Sequence, residues 1–176
     1  MKRYIKRYTD SERMNHWFIA FLFFAAGLSG MALFHPAFYF LSNLFGGGSW
    51  TRILHPFLGS LMFLCFLIFA LRVMRHNFIN ADDRKWRGHM SEMLRGEKTN
   101  LPPIGKYNYG QKLVFWLMLL SLLVLVVTGV MFWRPWFDGF FSIGLQRLAV
   151  VLHATSAFVL SLTVLVHIYA AFWVKG

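Results

Sequence analysis

Apolar residues gather into four long runs, about 17–34, 57–73, 113–133 and 145–174. At 1.5 Å per residue of helix, each can cross about 30 Å of hydrocarbon. The pattern therefore predicts an all-α, integral membrane four-helix bundle. Its helices are expected at about 11–34, 52–75, 111–133 and 145–174, in a single domain over 1–176. Thr9-Asp10-Ser11-Glu12 fits a capping box, so the first helix should begin about two turns before its apolar run and contain His16. The polar excursion at about 76–110 holds Asp82-Asp83, Pro102-Pro103 and Gly105, loop chemistry with room for a short interfacial helix.

Composition agrees, because 57% hydrophobic and 14% charged residues lie outside the balance of a water-soluble domain. The formal net charge of +11 raises nucleic acid as a partner, but its distribution argues against one. Of 18 Lys and Arg residues, all but Arg52, Arg134 and Arg147 lie before the first run, around the central loop, or after the fourth. By the positive-inside rule both termini and the central loop are cytoplasmic, with attraction to anionic lipid as a by-product. The basic leader Lys2, Arg3, Lys6, Arg7 resembles the start of a signal peptide. Its apolar segment is too long, however, and no small-x-small cleavage site follows. The single cysteine, Cys65, lies inside the second run, which excludes a disulfide, an iron–sulfur cluster or a thiolate zinc site built by this chain alone.

Four of the seven histidines lie in or at the ends of the runs: His16, His55, His153 and His167. An imidazole in lipid needs a partner, so each is a functional candidate. His153 and His167 are 14 residues apart, roughly 40° short of four whole turns, and so share one helix face about 21 Å apart along the axis. That separation suits two stacked cofactors and not one metal ion. Span direction puts His16 and His167 at the cytoplasmic side and His55 and His153 toward the other surface, giving the pairs His16/His167 and His55/His153. Two imidazoles at one depth on facing helices supply the axial ligands of a six-coordinate haem iron, so two haem b groups are expected. The competing reading is interfacial histidines bonded to backbone, lipid or water. His35, His76 and His89 find no partner at their depth and are read as structural.

Small residues near these positions, Gly27, Gly30, Gly59 and Ala157, offer room for a flat macrocycle, or else ordinary close packing. Pro56 predicts that the second helix starts or kinks at His55. Arg52 and Arg134 can pair with haem propionates or snorkel to the interface, and the run 132–137 fits an aromatic belt. A faint echo relates the halves: Gly30 and Gly129 each precede a proline by six residues, and Leu54-His55 matches Leu152-His153.

Several segments resemble the cytochrome b (gamma) subunit of membrane-bound formate dehydrogenase. They are Glu12-Arg13-Met14-Asn15-His16-Trp17, Arg52-Ile53-Leu54-His55-Pro56-Phe57, Gly105-Lys106-Tyr107-Asn108-Tyr109-Gly110-Gln111-Lys112, the stretch 129–135, and the ending His167-Ile168-Tyr169-Ala170-Ala171-Phe172-Trp173-Val174-Lys175-Gly176. The resemblance implies the same four axial histidines in the same pairs. It also implies a menaquinone site near the cytoplasmic haem at Asn108, Gly110, Gln111 and His167. Without it, Asn108 and Gln111 read as residues that satisfy a helix start. Similar proteins usually continue into a basic tail beyond Gly176, so the sequence is either truncated or of a tailless branch.

The expected role is that of a membrane anchor and electron-transfer subunit, multi-pass in the bacterial inner membrane. The resemblance implies an iron–sulfur beta subunit and a molybdenum or tungsten catalytic alpha subunit as partners, with no formate chemistry in this chain. Electrons would enter at the His55/His153 haem, pass to the His16/His167 haem and reduce quinone, with protons taken from the cytoplasm. The alternatives are the cytochrome b of a membrane hydrogenase or thiosulfate reductase, a histidine-lined ion or proton transporter, and a haem-free scaffold. No Asp or Glu inside an apolar run supports the transporter.

Overall fold

The computed structural model describes residues 9–89, 91, 95 and 105–173. The basic leader Lys2 to Arg7, Pro102-Pro103 and Val174-Lys175-Gly176 lie outside the described residues. All regular structure among the described residues is helical, and four helices are long and apolar enough to cross a membrane.

Helix α1, Asp10–Phe34, begins at a reciprocal cap: the Glu12 amide donates to Thr9 Oγ1 at 3.2 Å and the Thr9 amide to Glu12 Oε2 at 2.8 Å. It stops at His35, the residue before Pro36, where helical backbone would clash with the proline ring. A 3₁₀ stretch follows over Pro36–Phe45, with His35 Nδ1 accepting the Ala37 amide at 3.1 Å. Gly46 and Gly47 then turn the chain with φ of 83° and 96°, a region costly for any residue with a Cβ.

Helix α2, Gly48–Val73, begins before the expected 52 and passes through Pro56 instead of starting there. The start is earlier because Thr51, fully buried, donates to the carbonyls of Gly47 (2.9 Å) and Ser42 (3.4 Å), which fastens the first turn to the preceding stretch. Pro56 removes one backbone donor, the one that would have reached the Arg52 carbonyl, and a 26-residue helix carries that loss. A short 3₁₀ turn, Met74–His76, follows α2. Helix α3, Ala81–Gly88, is the short helix for which the loop had room; its Asn80/Asp83 cap matches that of α1.

Helix α4, Tyr109–Met131, opens on a third reciprocal cap, Asn108/Gln111. A short helix α5, Arg134–Phe137, precedes the last long helix α6, Ile143–Trp173. The described residues fall into two compact units. One is built on α1, the 3₁₀ stretch, most of α2 and α5. The other holds the end of α2, α3, α4 and α6, with α4 packed along α6.

Burial runs opposite to that of a soluble protein. Phe21, Phe24, Leu64, Ile68, Leu120, Val127, Phe158 and Leu165 are exposed, whereas Ala26, Ser29, Ala32, Ala70, Ser121 and Ala149 are buried. Large apolar side chains outward and small residues between helices suit a hydrocarbon surround, where close backbone approach replaces the hydrophobic effect.

Candidate functional site

In the α1–α2 hairpin the candidate side chain is His55, two turns into α2. Its Nδ1 lies 2.9 Å from the hydroxyl of Ser29, a residue of α1 with no exposed surface. Ser29 Oγ donates its one proton to the carbonyl of Ala26, 3.0 Å away. The tautomer that keeps both contacts has the hydrogen on His55 Nδ1 and the lone pair on Nε2. Gly30 lets the ring come this close, since a Cβ there would stand 3.1 Å from His55 Cε1.

In the α4–α6 hairpin His153 is held in the same manner by residues of α4. Thr128 Oγ1 donates to the carbonyls of Val124 (2.6 Å) and Leu125 (3.3 Å), and lies 3.1 Å from His153 Nδ1. A Cβ on Gly129 would lie 3.3 Å from His153 Cε1, and the Phe132 ring meets the imidazole edge-on at 5.2 Å. Each hairpin thus presents a hydroxyl followed by glycine, 26 residues before the histidine in one and 25 in the other.

Gly30 and Gly129 accommodate an imidazole, whereas a Cβ on Gly27 or Gly59 would meet nothing within 4 Å. Ser29, Thr128 and Gly129 were not among the sequence candidates for the site. In a single sequence Ser and Thr inside apolar runs look like small packing residues, and only the Gly30/Gly129 echo pointed toward these positions.

His16 and His167 are exposed, near the start of α1 and toward the end of α6. The His16 ring lies edge-on to Trp17 at 5.6 Å, and the adjacent Asn15 donates from Nδ2 to the Cys65 carbonyl of α2 at 3.4 Å. That bond, with Ser29–His55, ties the antiparallel α1–α2 pair at two levels. His167 lies 14 residues beyond His153 on the continuous helix α6, on the same face.

The remaining histidines have local partners: His35 caps the 3₁₀ stretch, His76 Nε2 accepts Arg75 Nε–H at 3.1 Å, and His89 closes α3. Among the described residues no group of three or more His, Cys, Asp or Glu side chains could hold a bare metal ion. Arg52 and Arg134 are exposed.

Asn108 and Gln111 act on each other at the start of α4. The Gln111 amide donates to Asn108 Oδ1 at 2.8 Å, and the Asn108 amide to Gln111 Oε1 at 3.1 Å. The cap uses both side-chain oxygens and leaves both carboxamide nitrogens outside it. Asn108 also lines a cavity of about 270 Å³ with Asn80, Asp83, Trp86, Tyr107 and Lys112, while Gly110 and Gln111 do not. Inside that wall Lys112 Nζ meets Asp83 Oδ2 at 2.6 Å with both side chains only 6% exposed, and donates to the Phe78 carbonyl at 3.1 Å. Trp116 Nε1 donates to the Asn77 carbonyl at 2.9 Å, so the segment 77–83 is fastened to the first turns of α4.

The profile of the prokaryotic cytochrome b561 family matches residues 7–176. Among curated relatives, the cytochrome b556(fdo) subunit of formate dehydrogenase from Escherichia coli (strain K12) is 44% identical over 172 residues, covering 98% of this chain and 81% of that protein. The formate dehydrogenase cytochrome b556 subunit of Haemophilus influenzae is 41% identical over 172 residues, covering 98% and 72%. The nitrate-inducible cytochrome b556(Fdn) subunit of Escherichia coli is 38% identical over 165 residues, covering 94% and 76%.

Proposed function

The chain belongs to the prokaryotic cytochrome b561 family, a multi-pass inner-membrane electron-transfer subunit that carries haem b, and from that premise we propose that it is the cytochrome b subunit of a formate dehydrogenase that delivers electrons to menaquinone. The finer reading holds that His16, His55, His153 and His167 ligate two b haems in the pairs His16/His167 and His55/His153, with both termini and the central loop in the cytoplasm. An iron–sulfur subunit and a molybdenum or tungsten subunit that oxidises formate complete the complex. Formate is the donor named for the relatives at 44%, 41% and 38% identity, which favours this reading over a hydrogenase or thiosulfate reductase cytochrome.

The observation that carries the haem assignment is the contact of the His55 and His153 Nδ1 atoms with a buried hydroxyl, at 2.9 and 3.1 Å. A ligating imidazole binds iron through a lone pair and donates its other ring N–H to a neighbour, which fixes the tautomer and the ring's rotation. Donation of Nδ1–H to the hydroxyl of Ser29 or Thr128, the tautomer in which that hydroxyl keeps its carbonyl contact, leaves the Nε2 lone pair for iron. An interfacial histidine bonded to water needs neither a buried hydroxyl already committed to a carbonyl nor a glycine under its ring. The residues present fit an axial haem site.

Haem b, when bound, supplies one-electron carriage between the two membrane faces. Asn108 and Gln111 have their carboxamide –NH₂ groups left to donate to quinone carbonyl oxygens, and the polar cavity beside Asn108 gives water access to that end of α4. Menaquinone takes two electrons and two protons to become the quinol. With the protons drawn from the cytoplasm, charge moves inward across the membrane, worth about 2.3 kcal/mol per charge per 100 mV.

The test is purification of the intact membrane complex with identification of the co-purifying subunits, followed by formate-driven reduction of a water-soluble menaquinone analogue. A molybdenum or tungsten formate dehydrogenase partner, with N108A raising KM for the quinone more than it lowers kcat, supports the reading. A nickel hydrogenase partner, or activity indifferent to N108A, overturns the donor or the quinone site respectively.

A further inference from the structure

Hydroxyls in apolar helices ordinarily return their proton to a carbonyl one turn back. Ser161 does so to Ala157 at 2.8 Å and Thr163 to Val159 at 2.8 Å. Ser29 and Thr128 do the same, and each also lies within 3.1 Å of an imidazole Nδ1 on the second long helix of its hairpin. Each is buried and each is followed by a glycine whose Cβ position the imidazole approaches to 3.1 or 3.3 Å. The arrangement occurs twice, in two separately packed units, with a serine in one and a threonine in the other. Shared residue identity does not explain that, but shared chemistry does.

We infer that Ser29 and Thr128 are positioning residues that lock the tautomer and ring rotation of His55 and His153, and so set the reduction potential of the haem those histidines share. The inference rests on the ligand assignment above and adds to it what tunes the site. With its proton committed to a backbone carbonyl, each hydroxyl is a fixed acceptor. Donation from Nδ1–H makes Nε2 a stronger base and so favours ferric over ferrous iron. Removing the acceptor leaves an N–H unsatisfied in low dielectric, weakens the ligand as a donor and frees the ring to rotate.

The experiment is an optical redox titration of the purified holo-complex, with the electron paramagnetic resonance signal of the low-spin ferric haems as a second readout. The variants are S29A and T128V, which remove the hydroxyl at nearly constant volume, and S29T and T128S, which keep it. S29A and T128V are each expected to raise the potential of one and the same haem. The ratio of oxidised to reduced haem at a fixed potential should fall three- to tenfold, about 30–60 mV at 59 mV per tenfold for one electron. The ferric signal of that haem shifts too, and S29T and T128S stay close to wild type. Loss of that haem alone in S29A, with haem retained in S29T, carries the same meaning. Unchanged potentials and spectra in both hydroxyl-free variants overturn the inference, as do S29T and T128S shifting as far as the variants without a hydroxyl. If S29A and T128V move different haems, positioning stands and the pairing of His55 with His153 falls. If H55A keeps its full haem complement, the ligand assignment fails regardless of Ser29.

Discussion

The α1–α2 and α4–α6 hairpins solve one problem with different residues. Each first helix opens on a reciprocal cap, Thr9/Glu12 in one and Asn108/Gln111 in the other. Each carries a hydroxyl-glycine pair in its last turns, and each second helix presents an imidazole to that pair. They differ at the opposite end. Asn15 reaches the Cys65 backbone at 3.4 Å in the first hairpin, whereas α4 begins on a buried ion pair, Lys112–Asp83 at 2.6 Å, that fastens the preceding loop. The capped start and the contact at the imidazole are shared, and what differs is how the capped end is fastened. The spacing of lone pair and acceptor is thus the constraint both hairpins meet, and the fastening is free to vary.

The strongest way to break the likeness is to remove an imidazole. H55A and H153A should each lose one and the same haem, while the other stays measurable by its absorbance. Loss of both haems with the chain intact would contradict the pairing.

A smaller effect should sharpen the difference at the chain ends. D83A leaves Lys112 buried and unpaired, and should cost about 3–5 kcal/mol, read as a large fall in Tm of the detergent-solubilised complex. Replacing both partners by Leu and Met should recover most of that loss, because a well-packed apolar pair avoids the desolvation cost of the ions. Asn15→Ala in the other hairpin removes one long hydrogen bond and should cost no more than about 1 kcal/mol.

Glycine separates the hairpins more finely. G30A places a methyl 3.1 Å from the His55 ring and G129A one 3.3 Å from His153, so overpacking should cost about 1–3 kcal/mol at Gly30 and less at Gly129. Haem retention under mild detergent should follow that order. Smallest are the caps: T9A and N108A should each lower stability by about 1 kcal/mol, seen as a modest shift in Tm.

Most of this architecture is legible in the sequence, because a run long enough to span hydrocarbon leaves the backbone few choices. The four helices lie where the apolar runs put them, and α1 starts at the cap that Thr9-Asp10-Ser11-Glu12 spells. Helix α2 opens with a turn at Gly48, ahead of the expected 52. Thr51 anchors that turn through a contact with Ser42, which local propensity cannot report. The 3₁₀ stretch Pro36–Phe45 falls between two apolar runs, is only ten residues long and follows a proline, so length alone gives it no claim to a spanning helix. Ser29 and Thr128 stayed hidden for another reason. A hydroxyl in an apolar helix is self-satisfied through its own backbone, and only the position of an imidazole 26 or 25 residues later reveals that its second lone pair is in use. Lys112 and Asp83, 29 residues apart, looked like loop charges until folding brought them together.

The account rests on four imidazoles holding two haems, and the direct measurement is a pyridine haemochrome assay on the purified complex, normalised to the amount of this chain. Two b haems per chain, falling to one in H153A, is the predicted result. One haem or none in the unaltered chain, or two retained in H153A, would contradict it.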